Sequence, residues 1–198
     1  MDTLLAAMRR VSQAGLWFGG ALVLLAAVLI GIDVILRVGL NRSIGGADEL
    51  SGYALAIGTA WGLGAALLDR AHIRIDSLYI LFPTPVRLAL DLAAVVLFVG
   101  FFGLIAWHGL GVAMQSVQSG SHSQSALETP LIVPQALWLA GLLVFLLTGL
   151  VLLLHALGLA VAGRTGDMAR AIGTRSAEEE VQEEIDALLV RTSGEGQG

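Results

Sequence analysis

Residues 131–162 read LIVPQALWLAGLLVFLLTGLVLLLHALGLAVA, an apolar run that carries no Asp, Glu, Lys or Arg and is interrupted by Gln135 and His155. A helix that crosses a hydrocarbon core about 30 Å thick needs about 20 mostly apolar residues. Because the run is continuous rather than alternating, it predicts a membrane-spanning helix rather than the strands of a barrel.

Three earlier segments have the same character, since residues 16–32, 50–68 and 92–114 also contain no Asp, Glu, Lys or Arg. The first could be a signal peptide, because Arg9 and Arg10 precede it. However, its apolar run is longer than that of a typical signal peptide, and no Ala-x-Ala cleavage site follows. The sequence therefore predicts an all-α integral membrane protein with four transmembrane helices, at about residues 14–38, 48–68, 88–115 and 130–162.

The composition of the whole chain agrees with a membrane protein. Of its 198 residues, 56% are hydrophobic and 14% are charged, and the mean hydropathy is +0.81. In a soluble domain, about a quarter of the residues are charged. The chain has no cysteine, which excludes a disulfide scaffold, a thiol enzyme and a cysteine-ligated zinc site. The net charge of −5 argues against nucleic acid as a partner.

The distribution of arginine predicts the orientation, because the cytoplasmic loops of membrane proteins are enriched in basic residues. The chain has 11 Arg and no Lys. Only Arg37, at the end of the first predicted span, and Arg42, between the first and second spans, lie on the other side, and no Arg lies between the third and fourth spans. The other nine precede the first span, join the second to the third, or follow the fourth. This predicts a multi-pass protein with both termini in the cytoplasm. The small size and simplicity of the protein favour the bacterial inner membrane as its location.

The chain divides into a membrane domain and a tail. Residues 1–163 hold the four predicted spans, and residues 164–198 form an acidic cytoplasmic tail with 4 Arg against 8 Asp and Glu. In the tail, Ser176 and Glu179 have the spacing of a capping box, and the apolar residues after them recur at helical intervals. A short amphipathic helix is predicted there, which is either solvated or docked on a partner.

Charged residues at the ends of spans are the first candidates for function, because charge is costly inside a bilayer. Asp33 and Arg37 are four residues apart at the end of the first span, so they share a helix face and form a local pair. A gate or a contact to a substrate anion is the alternative. Asp48 and Glu49 open the second span, where they favour the helix N-terminus through its dipole and by capping. A site for a cation or a proton is the alternative.

Small residues recur along one face of the second span, at Ala54, Gly58, Gly62 and Ala66. Such a stripe lets helices approach each other closely in a membrane. The sequence does not decide whether the helix that packs on this stripe belongs to the same chain or to another subunit.

The connection between the second and third spans, residues 69–82, mixes charged residues with Ile and Leu and ends before Pro83 and Pro85. This pattern predicts a short amphipathic element in the cytoplasmic interface of the membrane. Arg74 could reach lipid phosphates there while the isoleucines dip toward the acyl chains.

The residues show no constellation that is typical of catalysis. The sequence contains no nucleophile-elbow, phosphate-loop or zinc-protease motif, and its four histidines are predicted at different depths. We therefore predict that the protein is not an enzyme and holds no cofactor or metal. A haem-binding membrane redox protein and a self-sufficient small carrier or channel are the alternatives.

Four features resemble the small membrane subunit of TRAP transporters, the tripartite ATP-independent periplasmic family. Span one ends in Asp33-Val-Ile-Leu-Arg37, and the acidic pair Asp48-Glu49 opens span two. His72-Ile-Arg-Ile-Asp76 is similar to the His-[Ile/Val]-x-[Ile/Val]-Asp segment of that family, and Ser125-Ala-Leu-Glu-Thr-Pro130 precedes span four. The resemblance covers residues 10–160, approximately.

This resemblance implies a subunit of a sodium-coupled secondary transporter. In that family a periplasmic binding protein captures an organic acid, and a large membrane subunit binds sodium and moves the substrate. The small subunit would brace the large one in the lipid bilayer and help to dock the binding protein transiently. The resemblance also implies that His72 and Asp76 contact span four or the large subunit. The alternative is that this segment only anchors the chain in the membrane interface.

Overall fold

The structure is a computed structural model that describes residues 2–69, 82–172 and 185. The described residues form five helices. The first four are each long and apolar enough to cross a membrane. The prediction of an all-α membrane protein with four transmembrane helices is therefore confirmed. The helices are α1 Asp2–Leu40, α2 Ala47–Leu68, α3 Thr84–Ser119, α4 Ile132–Val161 and α5 Thr165–Ile172.

α1 and α3 are longer than the apolar runs that predicted them. α1 has 39 residues, which at 1.5 Å per residue span about 58 Å, so it exceeds a hydrocarbon core of about 30 Å. Its first turns carry Arg9 and Arg10 beyond the apolar run. Hydropathy marks where the bilayer begins, whereas a helix ends where its backbone changes conformation. α3 thus begins after Pro83 and ends at Gly120, whose φ is +60°.

α2 and α4 pack against each other at the centre of the bundle. α1 lies along α2 and also touches α4, while α3 packs on α4. Phe145 of α4 is fully buried and meets the rings of Phe98 and Phe102 edge-to-face, at centroid distances of 5.3 and 5.0 Å. This is a favoured geometry for aromatic pairs. The outer helices expose apolar side chains such as Trp17 on α1 and Trp107 on α3.

Glycine sets the distance between α1 and α2. A Cβ on Gly19 would lie 2.6 Å from the carbonyl oxygen of Gly58 and 2.9 Å from its Cα, so the two backbones are in contact. Trp61 then links α2 to α4, because its indole Nε1 donates a hydrogen bond to the carbonyl oxygen of Leu137 at 2.9 Å. Close approach through small residues is the usual way in which membrane helices gain packing contacts.

The predicted tail begins with a helix that packs on the bundle. Gly163 has a φ of +70°, which ends α4 and lets the chain turn into α5. Met168 and Ile172 of α5 are buried in the same cluster as Leu159 of α4. The first residues of the tail therefore belong to the packed structure of the membrane domain.

Candidate functional site at one end of the bundle

Two connections between helices meet at one end of the bundle. Residues 41–46 join α1 to α2, and residues 120–131 join α3 to α4. We call this end the Glu49 end, after the residue that holds the second connection in place. The opposite end carries α5 and the first turns of α1.

Asp33 holds the first connection to α1. The residue is 2% exposed, and its Oδ1 accepts hydrogen bonds from the hydroxyl of Ser43 at 2.8 Å and from the backbone N–H of Ile44 at 2.7 Å. Its Oδ2 pairs with Nη2 of Arg37, one turn further along α1, at 2.5 Å. Hydrogen bonds to a charged group are stronger than those between neutral groups. Asp33 thus forms a local pair and also anchors the turn that follows the helix.

Glycine shapes the turn itself. Gly45 and Gly46 have φ values of +71° and +83°, which glycine adopts without strain. A Cβ on Gly46 would lie 2.4 Å from Cδ1 of Leu127 in the second connection. The backbone of the first connection therefore packs directly against a side chain of the second.

Glu49 ties the second connection to α2. Its carboxylate accepts one hydrogen bond from the hydroxyl of Tyr53, one turn along the helix, at 2.7 Å. It accepts another from the hydroxyl of Ser125, which lies 76 positions further along the chain. We call the contact between Glu49 and Ser125 the latch.

The second connection, residues 120–131, is also bonded within itself. The backbone N–H of Leu131 donates to the carbonyl oxygen of Ser121 at 3.0 Å, which closes the base of the connection. The hydroxyl of Ser125 accepts a hydrogen bond from the backbone N–H of Leu127 at 3.1 Å while it donates its own proton to Glu49. The latch therefore joins a self-bonded polar loop to the start of α2.

A comparison with family profiles shows what kind of protein has this architecture. The profile described as "Tripartite ATP-independent periplasmic transporters, DctQ component" matches residues 26–159, from the middle of α1 almost to the end of α4. The chain belongs to the DctQ family. Asp33 and both residues of the latch lie inside the match. Searches of curated proteins and of solved structures gave no significant match.

DctQ proteins are the small membrane components of TRAP transporters. They work with a large membrane subunit and a binding protein in a tripartite system. The resemblance drawn from the sequence is confirmed, and the chain is a multi-pass transporter subunit rather than an enzyme.

The acidic pair of this DctQ subunit does not cap α2 by hydrogen bonding. The residue before the helix is Gly46, and no side chain there bonds the helix N-terminus. Glu49 uses its carboxylate in the latch, whereas Asp48 is exposed and its backbone carbonyl accepts a hydrogen bond from the hydroxyl of Ser51 at 2.8 Å. Both acids lie in the first turn, where the helix dipole favours them. The contact to residue 125 could not be derived from their position.

The small-residue stripe of α2 faces α1 of the same chain in its middle part. Gly58 lies against Gly19, and a Cβ on Gly62 would also reach a side chain of α1, at 3.7 Å. Ala54 is buried and Ala66 is half-buried. At Gly58 and Gly62 the structure thus shows packing within the subunit.

Two predicted features lie outside the described residues. His72, Arg74 and Asp76 belong to the first, because only the two ends of the 69–82 connection are described. The second is the amphipathic helix of the tail near residues 176–189, of which only residue 185 is described. The roles given to them above stay predictions.

Asp91 is a buried carboxylate that was not among the sequence candidates. It lies on α3, inside the third predicted span, and is 1% exposed. The signal that could have found it is an acidic residue between Leu90 and Leu92, since ionisable residues within transmembrane segments are rare and face the interior of a bundle.

A second missed feature is a pair of buried hydroxyls that joins α1 to α4. The side chains of Ser12 and Thr148 are fully buried, and their oxygens lie 3.3 Å apart. Because Thr148 donates its own proton to the carbonyl oxygen of Val144 at 2.8 Å, Ser12 is the donor within the pair. The two residues are 136 positions apart in the chain, so no local pattern could connect them.

The three histidines among the described residues are at separate positions. His108 is exposed on α3, His155 is half-buried on α4, and Nδ1 of His122 bonds the carbonyl oxygen of Gly120 at 2.7 Å. Across residues 2–69 and 82–172, no three His, Cys, Asp or Glu side chains lie close enough to hold a metal ion. These histidines do not form a common ligand set.

Proposed function

We propose that this DctQ subunit braces the large TRAP membrane subunit in the bacterial inner membrane and helps to dock the periplasmic binding protein. In this proposal the large subunit carries out the sodium-coupled uptake of an organic acid. The latch carries the proposal, because it holds a polar loop in a fixed position beyond the end of a membrane bundle. Polar groups that are already positioned lower the cost of docking a soluble partner and set its orientation.

The arginines support an orientation with the Glu49 end in the periplasm and both termini in the cytoplasm. Five of the seven described arginines lie at the opposite end of the bundle, on α1, on the first turn of α3, before α5 and on α5, whereas Arg37 and Arg42 lie at the Glu49 end. At the Glu49 end, the charge of Arg37 is paired with Asp33. Basic residues concentrate on the cytoplasmic side of membrane proteins.

Reporter fusions test this topology. We expect a reporter that is active only in the periplasm to be active after Gly120 and inactive after Gly198. A reporter that is active only in the cytoplasm should give the reverse pattern. The same compartment for both positions would contradict the proposed arrangement of four spans.

Uptake by reconstituted components tests the division of labour. Liposomes that contain both membrane subunits should accumulate an organic acid when binding protein and a sodium gradient are supplied, and liposomes that contain this subunit alone should not. Within residues 2–69 and 82–172, no group of three His, Cys, Asp or Glu side chains could hold a metal ion, so we expect no ion coupling by this subunit alone. Saturable uptake by the isolated subunit would contradict the proposal and favour an independent carrier.

Removal of the latch should weaken docking without disturbing assembly. In Ser125→Ala, Glu49 loses a donor and the backbone N–H of Leu127 loses an acceptor. We expect the binding-protein concentration that gives half-maximal uptake to rise about tenfold, as for the loss of one hydrogen bond to a charged group. Ser51→Ala is the matched control, because that hydroxyl bonds only within its own helix. An unchanged half-maximal concentration in Ser125→Ala would contradict a role of the latch in docking.

A further inference from the structure

The first half of α1 has an outward side that combines charge with an aromatic ring. Arg10, Gln13 and Trp17 follow each other at intervals of three and four residues, so they share one side of the helix. All three are exposed, Trp17 to 81%. Ser12 and Gly15 are buried on the other side, where they meet α4 and α2. We call the exposed side, with Arg9 at its edge, the Trp17 face.

The polar groups of the Trp17 face lack partners in the part of the protein that the structure describes. There, no hydrogen bond or ion pair is formed by the side chains of Arg9, Arg10, Gln13 and Trp17. By contrast, Arg87 and Arg164 at the same end of the bundle bond protein oxygens. No Asp or Glu occurs from residue 3 to residue 32, so α1 itself offers the two arginines no carboxylate within one turn.

The depth of the Trp17 face matches the interface between lipid and water. The apolar run of α1 begins at residue 16, which places Trp17 at the edge of the hydrocarbon core and Arg10 outside it. The two residues are seven positions apart, which is about 10 Å along a helix. The headgroup layer of one leaflet is about 5–8 Å thick, and the long arginine side chain can bridge the difference. Tryptophan is enriched at this level, because its ring is apolar and its N–H is polar.

The residue types select the chemistry of a ligand. A guanidinium presents a planar fork of N–H donors that binds two phosphate oxygens at once. Two adjacent arginines attract a headgroup with a net negative charge more strongly than one in which an amine cancels the charge of the phosphate. The amide of Gln13 can donate to, or accept from, the hydroxyls of a glycerol headgroup. This chemistry favours phosphatidylglycerol over phosphatidylcholine.

We propose that the Trp17 face binds the headgroup of an anionic phospholipid from the leaflet at this end of the bundle. Arg9 and Arg10 hold the phosphate, and Gln13 bonds the hydroxyls of the headgroup. The indole Nε1 of Trp17 donates to an ester carbonyl oxygen nearer the acyl chains. Because the site lies on one helix, it needs no other subunit and does not depend on the proposed bracing and docking function.

Lipid binding by the purified subunit tests this site. Native mass spectrometry in detergent measures how tightly the chain retains added phosphatidylglycerol or phosphatidylcholine. We expect tighter retention of phosphatidylglycerol, and a loss of affinity of about fivefold in Arg9→Gln and in Arg10→Gln. Arg42→Gln is the matched control, because Arg42 is an exposed arginine at the other end of the bundle. Equal affinity for the two lipids, or an equal loss in the control, would overturn the proposal.

Trp17→Phe tests the indole separately from the charge. It keeps an aromatic ring and removes the N–H, so binding of phosphatidylglycerol should weaken about threefold, as for the loss of one hydrogen bond. Trp107→Phe on α3 is the control, because that ring is also exposed. Unchanged affinity in Trp17→Phe would overturn the role given to the indole. Inorganic phosphate should not displace the lipid, and displacement would show a site for free anions instead.

Site-directed crosslinking identifies the occupant in the assembled transporter. The chain has no cysteine, so Ala14→Cys gives a single position for benzophenone maleimide, four residues from Arg10 on the same exposed side. After reassembly with the large subunit in vesicles of phosphatidylcholine and phosphatidylglycerol, irradiation should give phospholipid adducts. Crosslinks to the large subunit, or to residues 173–198 of this chain, would show that protein covers the Trp17 face and would overturn the proposal.

Discussion

Gly19→Ala, a change of one methyl group, should lower the free energy of unfolding of the bundle by about 1–3 kcal/mol. The added Cβ would meet the carbonyl oxygen of Gly58 at 2.6 Å and its Cα at 2.9 Å. Both are backbone atoms, so no side chain can rotate out of the way. α1 and α2 would have to move apart and lose close packing along their contact. Thermal unfolding of the purified subunit in detergent micelles measures the loss.

The adjacent residue provides the control for this prediction. A Cβ on Gly20 would meet nothing within 4 Å, since that position faces outward. Alanine has the higher helix propensity, so Gly20→Ala should leave stability unchanged or raise it by up to about 1 kcal/mol. If the two variants unfold at the same temperature, the glycine contact between α1 and α2 does not hold the helices together.

Asp33→Asn should loosen the first connection. The amide has nearly the volume of the carboxylate, but it lacks the charge that pairs with Arg37 and offers one acceptor oxygen in place of two. Three donors converge on Asp33, from Arg37, Ser43 and the backbone of Ile44. We expect the midpoint of thermal unfolding to fall by about 5 °C, because hydrogen bonds to a buried charge are lost. Limited proteolysis should cut residues 41–46 faster than in the unchanged protein.

Asp48→Asn is the matched control for this change. It removes the same charge at the same end of the bundle, from a side chain that is exposed. We expect little effect on unfolding or on proteolysis, as is usual for exposed positions. Equal behaviour of the two variants would show that Asp33 does not anchor the turn.

The four membrane helices could be predicted from the sequence because the bilayer demands long apolar runs, and residues 131–162 alone exceed that demand. The helix ends could not. α1 begins at Asp2 and carries Arg9 and Arg10 within it. A hydropathy pattern detects only the apolar part of a helix, so it does not detect these first turns. The ends depend on backbone conformation, such as the positive φ of Gly120 and Gly163.

The candidate site could be predicted only where its contacts are local. Asp33 and Arg37 are four residues apart, so helical spacing was enough to pair them. Ser43 and Ile44 reach Asp33 only because the chain turns back after α1, where Asn41 has a φ of +51°. The latch joins residues 76 positions apart. Their distance depends on how the membrane helices pack together, which no local sequence pattern records.

The hydrogen bond from Trp61 to Leu137 also bears on the order in which the chain enters the membrane. α1 and α2 are neighbours in sequence and touch through glycine, so this helical hairpin can close while the ribosome is still synthesising α3. The indole of Trp61 acquires its acceptor only after 76 further residues have been made. Ser12 acquires its partner Thr148 only after 136 further residues have been made. Insertion of α4 is therefore the step that completes the bundle, and a nascent chain stopped before residue 131 would hold a helical pair with one face unfilled.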